Sequence, residues 1–234
     1  MEERKNTYRI TTLLSAAALV ATLTGCADQR VAGGALDAAR AAARGPMSDG
    51  ELREAVLDGD ESPTELSGPE DAPYAAPVVA RDPDCEGLAR LLSAGLGSPY
   101  VRAHATAVWS SPDASARTTL AIASFAKGGA QAVVDEGMGA LDRCLTFARA
   151  ATVGGPEQAP QCVPVPEAGD MSLGLVLAAP DGTGSAEEAA TGYVIVRVGD
   201  ILTVFGHQTA DGLPTMPDRK LVEQQVARIT ARLA

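Results

Sequence analysis

Tyr193-Val194-Ile195-Val196-Arg197-Val198-Gly199-Asp200-Ile201-Leu202-Thr203-Val204-Phe205 decides the fold. Two runs rich in β-branched and apolar residues flank Gly199-Asp200, and a two-residue hairpin turn of the primed type needs a residue that accepts positive φ. The stretch therefore predicts a tight antiparallel hairpin. Upstream, Met171, Leu173, Leu175 and Leu177 alternate with smaller residues, the period-two signature of a strand with one buried face. Val101 to Ser110 and Thr118 to Phe125 predict a second hairpin around Ser111-Pro112-Asp113.

Helical spacing appears between and around these strands. Ser48-Asp49-Gly50-Glu51 has the capping-box spacing and precedes Leu52, Val56 and Leu57. Leu88, Leu91 and Leu92 predict a short helix that starts near Cys85 and stops near Gly95 and Gly97. Ala130, Val133, Val134, Met138 and Leu141 predict another, reaching Cys144. Gly137 and Gly139 weaken that helix by about 1 kcal/mol each in isolation, so tertiary packing must hold it. Thr215-Met216-Pro217-Asp218 opens a terminal helix carrying Leu221, Val222, Val226, Ile229 and Leu233. Helices inserted among five or six antiparallel strands predict an α+β domain, a central antiparallel sheet with helices packed mainly on one face. Residues 58–83, acidic and with five prolines, predict an extended or mobile loop.

The N-terminus reads as a lipoprotein signal. Arg4, Lys5 and Arg9 precede an apolar run that ends in Leu23-Thr24-Gly25-Cys26. The 16 residues from Ile10 to Gly25 are fewer than the roughly 20 that span a bilayer. In the bacterial lipobox that this string resembles, the cysteine thiol receives a diacylglycerol and the chain is cut before it. Two acyl chains give stable anchoring where one gives marginal binding. The expected organisation is a signal peptide over 1–25, the lipidated Cys26 with a flexible tether over 26–46, and a folded domain over 47–234 whose compact core runs 85–234. The expected location is the extracytoplasmic face of the cell membrane, with the membrane as a partner through Cys26.

Charge and composition exclude several roles. A formal charge of −11 repels phosphate backbones, so nucleic acid is not an expected partner. Only Lys5, Lys127 and Lys220 are lysines among 19 basic residues, a usage that fits a high-G+C genome and suggests an actinobacterium. Trp109 and the few phenylalanines are too sparse for a sugar-binding platform and are assigned to the core. His104 and His207 sit alone on predicted strands, and Asp58, Asp60 and Glu61 lack the calcium-loop spacing. Ser124-Phe125-Ala126-Lys127 matches S-x-x-K, but the companion S-D-N and K-T-G strings are absent. No catalytic residue, cofactor or metal is expected. A cell-envelope hydrolase or transferase working through Ser124 and Lys127 is the alternative, and it requires those side chains to converge in a pocket with a second base.

Beyond Cys26 the cysteines are Cys85, Cys144 and Cys162, and disulfides persist outside the cytoplasm. Three pairings are open. Cys85–Cys144 is favoured because it pins the start of one helix to the end of the next and closes a loop of about 60 residues, worth about 4 kcal/mol on the chain-entropy model. Cys144–Cys162 is the rival, and one thiol is left over in either case. Metal binding is not expected, since no C-x2-C or H-x3-H spacing accompanies them.

Several pieces occur in a telling order. Leu52-Arg53-Glu54-Ala55-Val56-Leu57 has Ser62-Pro63 downstream, and Asp84-Cys85 is followed by Leu88 and Leu91-Leu92. Val108-Trp109 precedes the strand to Phe125, and a helix closes at Leu141-Asp142-Arg143-Cys144. Gly169-Asp170 precedes a strand, and Val196-Arg197-Val198-Gly199-Asp200 forms the hairpin before the terminal helix. In this order the chain resembles the PknH-like extracellular sensor domain, found on actinobacterial receptor kinases and as free lipoproteins, over residues 47–234. The resemblance implies an α+β domain with a central antiparallel sheet, a cleft and usually two disulfides, of which one is expected to be missing here with Cys162 as the orphan. No kinase domain or spanning helix precedes the module in this sequence. The expected function is thus a non-enzymatic, sensor-like module that binds an envelope small molecule or protein, in a cleft bordered by Met171–Leu177 and the Gly199-Asp200 hairpin.

Overall fold

The computed structural model describes residues 45–58, 67–70, 78–148, 157–179 and 190–234. Four α-helices are present there: α1 (Asp49–Ala55), α2 (Glu86–Leu92), α3 (Gly129–Leu141) and α4 (Arg219–Leu233). The strands are β1 (Ser67–Glu70), β2 (Val101–Ser110), β3 (Ala116–Phe125), β4 (Ala159–Val163), β5 (Met171–Ala178), β6 (Thr191–Val198) and β7 (Ile201–Thr209). They form one sheet in the order β1-β2-β3-β7-β6-β5-β4, every neighbouring pair antiparallel. The fold is α+β, built on the two hairpins that the sequence predicts. β1 lies within the segment read as an acidic loop, and β4 was not anticipated. Both carry a proline, Pro69 and Pro160. Proline cannot donate to a ladder and survives in sheets at edges, which is where both strands lie.

Side-chain alternation along the central strands feeds two cores. Tyr193, Ile195, Leu202 and Val204 face one core, under α2 and α3, together with Leu173, Leu175 and Leu177 of β5. Val194, Val196, Ile201 and Phe205 face the other, under α1 and α4, together with Ala103, Ala105, Ala107 and Trp109 of β2. The helices are therefore placed two on each face, not mainly on one. The physical reason lies in Tyr193 to Phe205, where outside the Gly199-Asp200 turn every position but Arg197 and Thr203 is apolar. Continuous apolar runs of this kind belong to strands covered on both sides.

α1 is capped by Ser48, whose Oγ accepts from the Glu51 N–H while the Glu51 carboxylate accepts from the Ser48 N–H, a complete capping box. It docks on α4 through Gln225, which is fully buried. The amide of Gln225 donates from Nε2 to the Ala55 carbonyl at 2.7 Å and accepts from the Leu57 N–H at 2.9 Å. On the opposite face α2 and α3 cross closely because Gly137 has no side chain. A Cβ there would stand 2.5 Å from Leu91 Cδ2. Cys85 and Cys144 are joined at the end of this helix pair, S–S 2.02 Å and Cα–Cα 4.8 Å, at a sequence separation of 59. Cys162 is disulfide-bonded as well. That corrects the expectation of one unpaired thiol in the body. No helix among the described residues is long and apolar enough to cross a membrane.

Candidate functional site

The helices leave one part of the sheet open. On the face shared with α2 and α3, Ala123 and Phe125 of β3 are buried in the core, while Ala121 is only half-buried and Thr119 and Arg117 are exposed. Across this end of the sheet lies a cleft of about 320 Å3. Its floor follows from strand register. Thr119 stands opposite Gly206, which stands opposite Tyr193; Ala121 stands opposite Val204; Arg117 stands opposite Gln208. All of these residues line the cleft.

Gly206 sets the depth of that floor. A Cβ at this position would lie 2.8 Å from Thr119 Oγ1 and 3.3 Å from Tyr193 Cε1, so any larger residue displaces the Tyr193 ring or fills the space above it. The opposite wall is Leu92, Ser93 and Leu96, the end of α2 and the turn after it, together with Val78. Ser93 ties that wall together, its Oγ donating to the Ala89 carbonyl at 2.9 Å and accepting from the Val78 N–H at 2.7 Å. At the outer end Gln208 Nε2 donates to Thr191 Oγ1 at 2.8 Å. The site is thus apolar at its inner end, polar at its outer end, and shaped by a bare backbone in the middle.

The borders expected from sequence are not those of this cleft. Leu173, Leu175 and Leu177 are covered and contribute to the core. The Gly199-Asp200 turn lies at the opposite end of β6 and β7 and is fastened there by its own contacts. Asp170 Oδ2 accepts from the Gly199 N–H at 2.6 Å and from Arg197 Nη1 at 3.3 Å, while Asp200 Oδ1 accepts from the Gly128 N–H at 2.7 Å. These carboxylates are spent on holding a turn. Among the residues that do line the cleft, Arg117, Thr119, Thr191, Gly206 and Gln208 belong to no sequence motif. Pairing register brings them together, and single-residue spacing carries no trace of it.

Ser124 and Lys127 do not converge. Ser124 stands opposite Ile201 in the core beneath α1 and α4, fully buried, its hydroxyl without a hydrogen-bond partner. Lys127 is exposed in the turn before α3. Neither lines the cleft. His207 is two positions beyond Phe205 on that same face. Its Nδ1 is hydrogen-bonded to Thr118 Oγ1 at 2.8 Å, and burial lowers its pKa while the nearby Asp218 opposes the shift. His104 offers its backbone N–H to Asp49 Oδ1 at 2.8 Å. Among the described residues no group of three or more His, Cys, Asp or Glu side chains is placed to hold a metal ion. Cys26 lies outside the described residues.

No protein-family model matches the chain, and no curated protein matches it. Among solved structures it is similar to the extracellular domain of PknH from Mycobacterium tuberculosis, with a TM-score of 0.53 and 15% sequence identity over 80% of this chain and 97% of that one. At that identity the two share a fold, the α+β architecture that the order of sequence pieces implied.

Proposed function

We propose that this chain is an extracytoplasmic lipoprotein, held at the membrane through Cys26, whose body over residues 47–234 is a non-enzymatic, sensor-like binding module. Residues 1–25 serve as the export signal and 26–46 as the tether. The likeness to an extracellular domain supports the compartment, and the lipobox-like string supports the anchor. The observation that carries the binding role is the cleft: an apolar floor with scattered polar groups at its rim, the usual make-up of a small-molecule site.

Two measurements test the proposal. A ligand that prefers the native state raises the melting temperature. Envelope-derived fractions should therefore shift the wild-type chain and fail to shift Thr119→Trp, which fills the cleft from an exposed position. No fraction distinguishing the two proteins ends the binding reading. The anchor is tested separately by peptide mapping of unreduced protein. A thioether-linked Cys26 cannot enter a disulfide, so the state of its sulfur decides the matter. A diacylglyceryl-modified Cys26 peptide supports anchoring; a Cys26 peptide released only by reduction refutes it.

A further inference from the structure

We infer that the cleft takes a single-chain amphiphile with an anionic head, its apolar arm against Ala121 and Val204 and its head at Arg117. The inference rests on the binding-module reading and names the chemistry of its ligand. Along β3 the side chains of Arg117, Thr119 and Ala121 point into one cleft, and four residues of strand cover about 13 Å. The inner end is apolar on both walls, Ala121 and Val204 facing Leu92 and Leu96. The outer end is polar, Arg117 standing opposite Gln208 and Gln208 bonded to Thr191.

Charge then fixes the sign of the head. Among the described residues Arg117 is the one charged side chain that lines the cleft, with no Asp, Glu, Lys or His beside it. Acidic side chains outnumber basic ones 30 to 19 in the chain, yet the Arg117 side chain makes no ion pair or hydrogen bond with the described residues. Toward the described residues its guanidinium therefore keeps its full set of donors, in the fork that fits a carboxylate or phosphate. A net charge of −11 gives anions no general attraction to this surface, so recognition of one must come from this position. Size limits the rest. At about 320 Å3 the cleft sits at the small end of ligand sites, which run from roughly 300 Å3 upward, and so admits one arm.

Calorimetric titration of the full chain with decyl probes below their micelle concentrations tests this. Decanoate and decyl phosphate should bind about tenfold more tightly than decan-1-ol, the size of one charge-assisted pair. Arg117→Gln should remove that preference and leave binding of the alcohol, while Thr119→Trp should remove all three. The preference should also shrink in 1 M salt, where the screening length falls to about 3 Å. Stronger binding of the phosphate points to a lipid headgroup as the natural source, and stronger binding of the carboxylate to a free fatty acid. Equal affinity for all heads, or a preference that survives Arg117→Gln, overturns the anionic head while leaving the cleft as a binding site. Binding unaffected by Thr119→Trp removes the cleft itself. No binding by any decyl probe overturns the inference and leaves the screen of envelope fractions as the separate test of the binding role.

Discussion

Gln225→Leu should destabilise the protein out of proportion to the small change in side-chain volume. The amide joins α4 to the chain leaving α1, donating to the Ala55 carbonyl and accepting from the Leu57 N–H, and all three residues are buried. Leucine fills nearly the same space and satisfies neither backbone group. An orphaned buried donor or acceptor costs about 1–3 kcal/mol, so two give about 2–6 kcal/mol before any relaxation. Relaxation has one obvious route. α1 is seven residues long, well short of the roughly 12–15 at which an isolated helix becomes even marginal, so its helicity depends on docking. The variant should therefore lose stability in urea denaturation and show faster amide exchange at residues 52–57, with the core strands β3, β6 and β7 slowed as in wild type. A loss below about 0.5 kcal/mol, within the range of an ordinary surface substitution, would refute the role assigned to this amide. So would a large loss with no local change in exchange over α1.

Two glycines on α3 should respond with opposite signs to the same substitution. Gly137→Ala forces a Cβ to within 2.5 Å of Leu91 and should cost about 1–3 kcal/mol as overpacking, whereas Gly139→Ala meets nothing nearer than Arg143 Nη1 at 4.0 Å and should gain up to about 1 kcal/mol of helix propensity. Chemical denaturation of the two variants checks this, and a destabilised Gly139→Ala or a neutral Gly137→Ala contradicts the packing described. His207 should make stability fall with acid: burial lowers its folded pKa below the ordinary 6.5, the unfolded chain then binds the extra proton first, and stability is lost as the pH drops below about 6.5 toward the folded value. Melting temperatures across pH 5–7.5 should be flatter for His207→Gln than for wild type, and an unchanged slope removes His207 as the cause.

What the sequence disclosed, it disclosed through local chemistry. Gly199-Asp200 marked the central hairpin because positive φ at residue 199 is a property of the turn itself, and Gly199 adopts a φ of 58°. Ser48 and Glu51 marked the start of α1 because the capping box closes within four residues. The disposition of helices between the two faces was harder to read. Period two says that a strand has two faces, but it does not say which helix covers which. The edge strands were obscured by Pro69 and Pro160, and the partner of each buried polar group, such as Gln225, lies up to 170 residues away. Arg117 and Gln208 face one another only because β3 pairs with β7 in one register out of several, and shifting it by a single residue would turn one of them to the other face.

The position of the cleft follows from a mismatch of lengths. β2 and β3 are ten residues each, about 33 Å of strand. On their α2/α3 face they meet α2, seven residues and about 10 Å long, and α3, thirteen residues and about 20 Å long. These helices spend much of their surface on each other, at Gly137 and Leu91, and the disulfide holds the far end of the pair together. Something of the hairpin must therefore stay uncovered by these helices. Because β3 runs directly into α3 after Phe125, the helices are tethered to the Phe125 end, and the uncovered part falls toward the Ser111–Ser115 turn. On the opposite face α4 runs fifteen residues, and Val194, Val196, Phe205 and Trp109 are sealed there. Among the described residues the same sheet thus has one face completed as core and one left partly open. Thr119, Thr191 and Gln208 temper that exposure at the outer end, and the inner end keeps Ala121 and Val204 against Leu92 and Leu96, which gives an occupant its direction along the cleft.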